Sequence, residues 1–237
     1  MASYGTYDPE GLRIFNFEEK SVRHAFIRKV YSILTIQLGL TFAVICLFLF
    51  HAPTRKWFFE RPELFWIALG ISLVMIIALA CCESVRRQVP LNFICLFVFT
   101  LAEALLLGTL CVRFSRDEVM MAVGITALIC FALTLFAMQT KIDFTVMGGA
   151  LLIGLLCLLV IGLVGMFFPS KTLHVVYASL GAFLFSMYLI FDTQLMMGGS
   201  HRYSISPDEY IFAALSLYID IINIFIYILS LLGASNN

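Results

Sequence analysis

Three acidic residues stand out because each lies inside a long apolar run: Glu103, Asp192 and Asp220. The other twelve of the fifteen Asp and Glu residues lie outside these runs, and no Lys or Arg lies inside one. An ionised side chain in hydrocarbon costs at least about 2.5–3.5 kcal/mol. The three acids must therefore be protonated, share a proton, bind a cation or reach a basic side chain at the membrane edge.

Asp220 lies in the middle of the apolar segment AALSLYIDIINIFI, residues 213–226. At helical spacing one face of this helix carries four polar side chains, at Ser216, Asp220, Asn223 and, just after the segment, Tyr227. The segment therefore predicts a membrane helix that is apolar on most sides and has one polar stripe. Such a stripe is expected to face the interior of a helix bundle.

Asp192 lies near the end of the preceding apolar run and shares a helical face with Tyr188. One short loop joins this run to the last one, so the two helices should be antiparallel neighbours. Asp192 lies five residues before Met197, and Asp220 lies nine residues after Ile211. At 1.5 Å per residue their depths differ by about 6 Å, which helix tilt and side-chain length can absorb. We therefore predict that the two acids meet.

The loop before the last run contains a helix-start pattern. Ser206 suits the N-cap, Pro207 the first helical position, and Glu209 the third position of a capping box. We therefore predict that Glu209 caps the start of the last helix.

Composition places the chain among membrane proteins, because 62% of its residues are hydrophobic and only 13% are charged. The formal net charge of zero gives no indication of nucleic acid binding. Seven apolar runs approach the roughly 20 residues that cross a bilayer. We predict an all-α membrane protein with seven transmembrane helices and the last helix central. The predicted spans are 30–50, 64–82, 90–111, 119–138, 145–168, 173–195 and 211–232.

The predicted organisation is a cytosolic tail with an interfacial helix over residues 1–29, followed by the bundle over residues 30–237. Nine Lys and Arg residues fall on the N-terminal side of the membrane and six on the other side. This excess favours a cytosolic N-terminus. Glycines crowd the fifth span, where small residues permit close helix packing.

Five segments of the chain are distinctive: residues 25–34, 87–92, 190–194, 203–210 and 216–225. Together they resemble the Bax-inhibitor superfamily of membrane proteins, and most of all its Lifeguard branch. This resemblance implies a seven-helix protein of endoplasmic reticulum, Golgi or other endomembranes, or of the plasma membrane. It also implies a pH-sensitive Ca²⁺ leak that lowers store Ca²⁺ and opposes apoptosis.

The resemblance also implies roles for individual residues. The family's pH-sensing acidic pair near the pore maps onto Asp192 and Asp220, and its arginine latch maps onto Arg86 or Arg87. Expected partners are the lipid bilayer, Ca²⁺, and apoptotic regulators or Ca²⁺-release channels, with no cofactor and no nucleic acid. The supporting polar side chains are Ser216, Asn223, Tyr188 and Glu103.

The residues themselves agree with cation passage. Two close carboxylates cannot both ionise cheaply, and carboxylate oxygens are suitable ligands for Ca²⁺. Two carboxylates are too few for a tight cage, so transient Ca²⁺ contact at Asp192 and Asp220 fits better than storage.

Two alternatives remain open at this point. A non-conducting scaffold could bind apoptotic or receptor proteins and use the acids only structurally. An intramembrane aspartyl protease would also place one aspartate on each of two neighbouring helices. Against the protease, Asp220 follows Leu217, Tyr218 and Ile219 instead of Gly-x-Gly, and no Pro-Ala-Leu follows it. We therefore expect that the protein is not an enzyme.

Overall fold

The computed structural model describes the backbone of residues 9–198 and 201–236, and the side chains of residues 21–198 and 201–235. Residues 1–8 of the predicted tail lie outside the described residues. Nine α-helices and two 3₁₀ turns, at Phe144–Met147 and Pro207–Glu209, make up the described chain. The helices are α1 Pro9–Phe50, α2 Ala52–Phe59, α3 Pro62–Cys81, α4 Glu83–Arg87, α5 Leu91–Cys111, α6 Arg116–Gln139, α7 Gly148–Phe167, α8 Lys171–Met197 and α9 Tyr210–Asn236.

Seven helical segments are long and apolar enough to cross a membrane, which confirms the predicted fold class. Their ends lie within a few residues of the predicted spans, except at the first. There α1 runs without a break from Pro9, because no Pro or Gly interrupts residues 12–38. The segments are Ser21–Phe50, Pro62–Cys81, Leu91–Cys111, Arg116–Gln139, Phe144–Phe167, Lys171–Met197 and Pro207–Ser235.

Local sequence signals set the ends of several helices. At the start of α6 the Ser115 N–H donates to Glu118 Oε2 at 2.8 Å, and the Glu118 N–H donates to Ser115 Oγ at 3.2 Å. This reciprocal pair is a capping box. At the end of α8, Gly198 has a φ of 61°, a conformation that glycine adopts without a steric penalty.

The last helix, α9, lies at the centre of the bundle, as predicted. From Tyr210 to Ala234 none of its residues is exposed, and it contacts α1, α5, α6 and α8. In its most apolar stretch 67% of the residues are buried, against at most 44% in the other spans. The polar stripe of α9 therefore faces protein and not lipid.

Helix α7 lies at the periphery and packs on α8 through glycines. A Cβ placed at Gly154 would lie 2.8 Å from a methyl carbon of Leu184, and one at Gly162 would lie 3.2 Å from the Tyr177 ring. The glycines of this span thus permit close packing, as expected.

Candidate functional site

The structure brings Asp192 of α8 and Asp220 of α9 together, so that their carboxyl groups face each other at close range. Asp220 is only 3% exposed, and Asp192 is half-buried. Among the described residues no Lys, Arg or His forms an ion pair with either acid. Asp220 Oδ2 is buried and has no hydrogen-bond partner within the described chain. The pair is therefore an acid-only site with a free acceptor oxygen.

The other polar groups of the stripe continue from Asp220 along α9. Asn223 Nδ2 donates to the Ile219 carbonyl at 2.8 Å, and Tyr227 Oη donates to Tyr177 Oη at 3.4 Å. Ser216 is half-buried one turn on the other side of Asp220. The stripe is thus a continuous row of polar groups with the acidic pair in its middle.

Tyr188 of α8 is a predicted supporting residue whose side chain lies near both Asp192 and Asp220. It also packs against Phe185, with ring centroids 5.8 Å apart. Tyr188 therefore forms part of the wall of the acidic site.

Glu103, the third intramembrane acid, lies on α5 and accepts a hydrogen bond from the Ser72 hydroxyl of α3. Its neighbour on α9 is Tyr218, whose hydroxyl lies 2.8 Å from Thr41 Oγ1 of α1. Tyr218 and Asp220 are two residues apart, so they project from nearly opposite faces of the helix. Glu103 therefore lies on the side of α9 away from the acidic pair.

The two predicted latch arginines both bind Glu209, at the end of the bundle where α8 finishes and α9 begins. We call this the proximal end, and the opposite end the distal end. Arg86 Nε donates to Glu209 Oε2, and Arg87 Nε donates to Glu209 Oε1 at 2.7 Å. Glu209 is 7% exposed. In this conformation Arg86 and Arg87 thus neutralise a buried carboxylate other than the acidic pair.

The capping prediction for Glu209 is wrong in its detail. Ser206 does occupy the N-cap, but its side chain makes no capping hydrogen bond, and the first turn is 3₁₀. The Glu209 carboxylate is occupied by the two arginines, whose charge makes a stronger interaction than one backbone N–H.

Further contacts at the proximal end tie α4 and α1 to the start of α9. Asn92 Nδ2 donates to the Arg86 carbonyl and to Tyr210 Oη, both at 3.1 Å. Lys29 Nζ lies 3.3 Å from the centroid of the Tyr210 ring, a cation–π contact. We refer to Arg86, Arg87, Glu209 and these contacts as the proximal clasp.

Known proteins match this chain over almost its whole length. A family model described as inhibitor of apoptosis-promoting Bax1 matches residues 23–237. The chain belongs to the Bax inhibitor family. It is 37% identical over 229 residues to protein lifeguard 3 of Mus musculus, covering 95% of this chain and 74% of that protein. It is 38% identical to the Homo sapiens lifeguard 3 over 93% of this chain and 72% of that protein.

Protein lifeguard 4 of Mus musculus is 42% identical over 216 residues, which cover 91% of this chain and 87% of that protein. These matches confirm the resemblance to the Lifeguard branch. Within this multi-pass membrane family, the acidic pair and the proximal clasp both fall inside the matched region.

Sequence reasoning missed the residues that hold the loops of the proximal end. Gln194 is fully buried and bridges α8 to the loop after α6: its Oε1 accepts from the Phe144 N–H at 2.7 Å, and its Nε2 donates to the Ile142 carbonyl at 3.0 Å. A glutamine two residues past Asp192, near a helix end, was the only signal available.

Asp143 is the second of these residues and lies outside the spans. Its carboxylate accepts hydrogen bonds from Thr145 Oγ1 at 2.6 Å and from the Arg202 N–H at 2.8 Å. These bonds, together with His201 nearby, lower the pKa of Asp143 to about 2. Asp143 thus joins the loop after α6 to the loop after α8.

Proposed function

We propose that this protein is a pH-sensitive Ca²⁺ leak channel of intracellular membranes, and that Asp192 and Asp220 are the groups on which passage depends. The observation that carries this proposal is the pair itself. Two carboxyl groups meet inside the membrane-spanning bundle, no basic side chain among the described residues pairs with them, and one oxygen has no partner.

The chemistry of such a pair favours proton and cation binding at the same oxygens. Two negative charges about 4 Å apart repel by a few kcal/mol at an effective dielectric near 20. A shared proton removes that repulsion and joins α8 to α9 by a hydrogen bond. A Ca²⁺ ion competes with that proton, so passage should depend on pH.

Transit suits this site better than stable binding. Ca²⁺ in a tight site takes six to eight oxygen ligands. The described residues contain no group of three or more His, Cys, Asp and Glu side chains that could hold a metal ion. We therefore propose that Ca²⁺ is the transported ion and that it contacts the pair only transiently. We also propose that the protein is not an enzyme, because Asp220 follows Leu217, Tyr218 and Ile219 and lacks the Gly-x-Gly of intramembrane aspartyl proteases.

Family membership supports the anti-apoptotic part of the proposed cellular role. A leak from the endoplasmic reticulum or Golgi would lower the Ca²⁺ available for release, and we propose that the protein opposes apoptosis by this route. Apoptotic regulators and Ca²⁺-release channels are the proposed protein partners.

The test is Ca²⁺ entry into liposomes that contain the purified chain and a trapped Ca²⁺ indicator. We expect entry above that of protein-free liposomes, with a rate that changes between pH 6 and pH 8. Absence of entry at every pH would contradict the channel and favour the scaffold. Cleavage of an added membrane peptide by the same preparation, lost in the variant Asp220→Asn, would instead indicate the protease.

A further inference from the structure

A cavity of about 1030 Å³ lies between α7, α8 and α9 in the distal half of the bundle. Its α8 wall extends from Lys171, the first residue of that helix, to Phe185. Phe185 lies 14 residues after Lys171, which corresponds to about 21 Å of helix, more than half of the roughly 30 Å hydrocarbon thickness of a bilayer. Neither Asp192 nor Asp220 lines the cavity. The cavity therefore extends from the distal membrane boundary through the depth of one lipid leaflet, and the acidic pair lies outside its lining.

The cavity has an open edge along α7. Leu155, Leu159, Leu163 and Met166 belong to its lining and are 36–76% exposed. Their spacing of four, four and three residues places them on one face of α7, within a membrane-spanning segment. An apolar opening at this depth faces lipid chains, and water is disfavoured there. Hydrocarbon from the surrounding bilayer therefore fills the open edge.

The α9 wall of the cavity carries polar side chains that already have partners. Asn223 and Ser230 each donate a hydrogen bond to the backbone carbonyl four residues earlier, both at 2.8 Å. Tyr227 Oη donates to Tyr177 Oη at 3.4 Å. Because these side chains bond within the protein, an acyl chain can lie beside them at little cost.

The distal mouth of the cavity is basic and has no matching acid. Lys171 and His174 line it, lie three residues apart on α8 and are exposed. Among the described residues no Asp or Glu lines the cavity, and neither Lys171 nor His174 forms an ion pair. A lysine ammonium is a common phosphate ligand, and an imidazole N–H also donates hydrogen bonds to oxygen. A basic mouth above an apolar groove is complementary to an amphiphile with an anionic headgroup.

We propose that this cavity binds an anionic phospholipid of the distal leaflet. The lipid phosphate contacts Lys171 and His174, and one acyl chain lies in the groove along Leu159 towards Phe185. This site goes beyond the proposed Ca²⁺ leak and does not depend on it. Lipid binding is measured without Ca²⁺, so either proposal can fail while the other stands.

The test is quenching of a single tryptophan by phospholipids with brominated acyl chains, in the full chain purified in detergent. Trp57 and Trp66 are first replaced by Phe. The cavity reporter is Leu159→Trp, which lies in the lining, and the control reporter is Val160→Trp, the next residue of α7, which does not line the cavity. The two positions are 57% and 56% exposed, so they share depth and exposure and differ in their access to the cavity.

Two brominated lipids are compared: phosphatidylglycerol, which carries a net negative charge, and phosphatidylcholine, which carries none. We expect half-maximal quenching of the cavity reporter at about fivefold less phosphatidylglycerol than phosphatidylcholine, the preference that one basic side chain near an anionic headgroup gives. The control reporter should show no such preference, because it contacts only the surrounding lipid.

Variants carrying the cavity reporter test the two ends of the site. Lys171→Gln combined with His174→Gln should abolish the preference for phosphatidylglycerol, whereas Lys141→Gln, at an exposed lysine of the proximal end, should retain it. Gly165→Leu fills the groove and should weaken quenching by both lipids. Gly149→Leu is its control on the same helix, because Gly149 does not line the cavity and a Cβ there meets nothing within 4 Å.

Three results would overturn the proposal: no preference at the cavity reporter, the same preference at the control reporter, or a preference that survives removal of both basic side chains. A cavity reporter that neither lipid quenches would also overturn it. Quenching by aqueous iodide would then indicate a water-filled cavity, and quenching by none of these agents would indicate a second copy of the chain. A preference confined to the cavity reporter and lost without Lys171 and His174 supports the proposal, even if Gly165→Leu fails to fold.

Discussion

Two buried carboxyl groups near each other in the chain have opposite surroundings. Glu209 lies in the 3₁₀ turn just before α9, and Asp220 lies eleven residues further along, inside α9. Glu209 is held by Arg86 and Arg87 at the proximal end, whereas Asp220 faces another acid, Asp192. Both are nearly inaccessible, at 7% and 3% exposure. The difference between them is therefore one of partners and not of burial.

This comparison separates a structural role from a chemical one. A buried carboxylate with two arginines is a stable contact that changes little with conditions near neutral pH. A buried carboxyl that faces a second carboxyl has no stable fully ionised state, so it responds to protons and cations. The proximal clasp holds α4 and α1 to the start of α9, whereas the acidic pair is the candidate functional site.

The largest effect on stability is expected from Glu209→Gln. The amide removes the counter-charge of the largely buried Arg86 and leaves Arg87 with only the exposed Glu83, which should cost about 2–3 kcal/mol. Thermal melting in detergent should therefore shift down by several degrees. The matched control is Glu83→Gln, because Glu83 also pairs with Arg87, at 2.6 Å, but is 60% exposed. An equal shift in the control would show that the clasp acts only through surface charge.

A smaller effect, unequal between the two arginines, is expected when either is replaced by Gln. The Arg86 side chain is 20% exposed, and its Nη1 also donates to the Ala80 carbonyl at 2.9 Å. The Arg87 side chain is 45% exposed, so water screens its ion pair with Glu209 and reduces the contribution of that pair to stability. Arg86→Gln should therefore lower the melting temperature more than Arg87→Gln. The reverse order would mean that the Ala80 and Glu209 contacts of Arg86 contribute little.

Ca²⁺ entry measured on Arg86→Ala and Arg87→Ala tests the latch predicted from the family resemblance. If the clasp restrains passage, one of the two variants should leak more than the parent chain. Equal leak in the parent and both variants would confine the clasp to stability.

Asp143 is a third acid that can be compared with Glu209 and Asp220. Its carboxylate is stabilised by hydrogen-bond donors and not by arginine side chains. Its pKa of about 2 in the folded chain lies below the value near 4 of an unfolded Asp. Its carboxylate therefore stabilises the fold above about pH 4, and this stabilisation is lost as the pH falls through about 2. Asp143→Asn should lower the melting temperature at pH 7, and the difference from the parent should shrink between pH 4 and pH 2. A difference independent of pH would show that charge at Asp143 is irrelevant. Asp117→Asn, at an exposed position of α6, is the control.

The smallest effect on stability is expected from Asp220→Asn, although this acid is the more deeply buried. An amide can still donate a hydrogen bond to Asp192, and it removes the repulsion between two carboxylates. The melting temperature should stay within a few degrees of the parent value or rise. A loss as large as that in Glu209→Gln would mean that Asp220 is a structural acid after all.

Much of this arrangement could be predicted from the sequence, because hydrophobic length and helical spacing decide it. The seven spans follow from apolar runs, and the meeting of Asp192 with Asp220 follows from two polar stripes on helices joined by a short loop. The partner of Glu209 could not be predicted in this way. The residues around Glu209 form a complete local capping pattern, and nothing local indicates that two arginines about 120 positions earlier compete for the carboxylate.

The surroundings of Glu103 and of the Tyr227 ring show the same limit. Helical spacing predicts which residues share a face of a helix, but it does not predict which neighbouring helix packs against that face. Glu103 turns to Ser72 of α3, and Tyr227 stacks on Phe185 of α8. Both outcomes depend on how α3, α5, α8 and α9 are arranged around one another, which one sequence does not encode in any local pattern.

The most direct test of the central claim is a double-mutant cycle on Ca²⁺ entry into liposomes, measured from pH 6 to pH 8. We predict that Asp192→Asn and Asp220→Asn each reduce entry and flatten its pH dependence, and that the double variant loses little more than either single one. Additive losses, or an unchanged pH profile in either single variant, would contradict the claim that the two acids act as one unit.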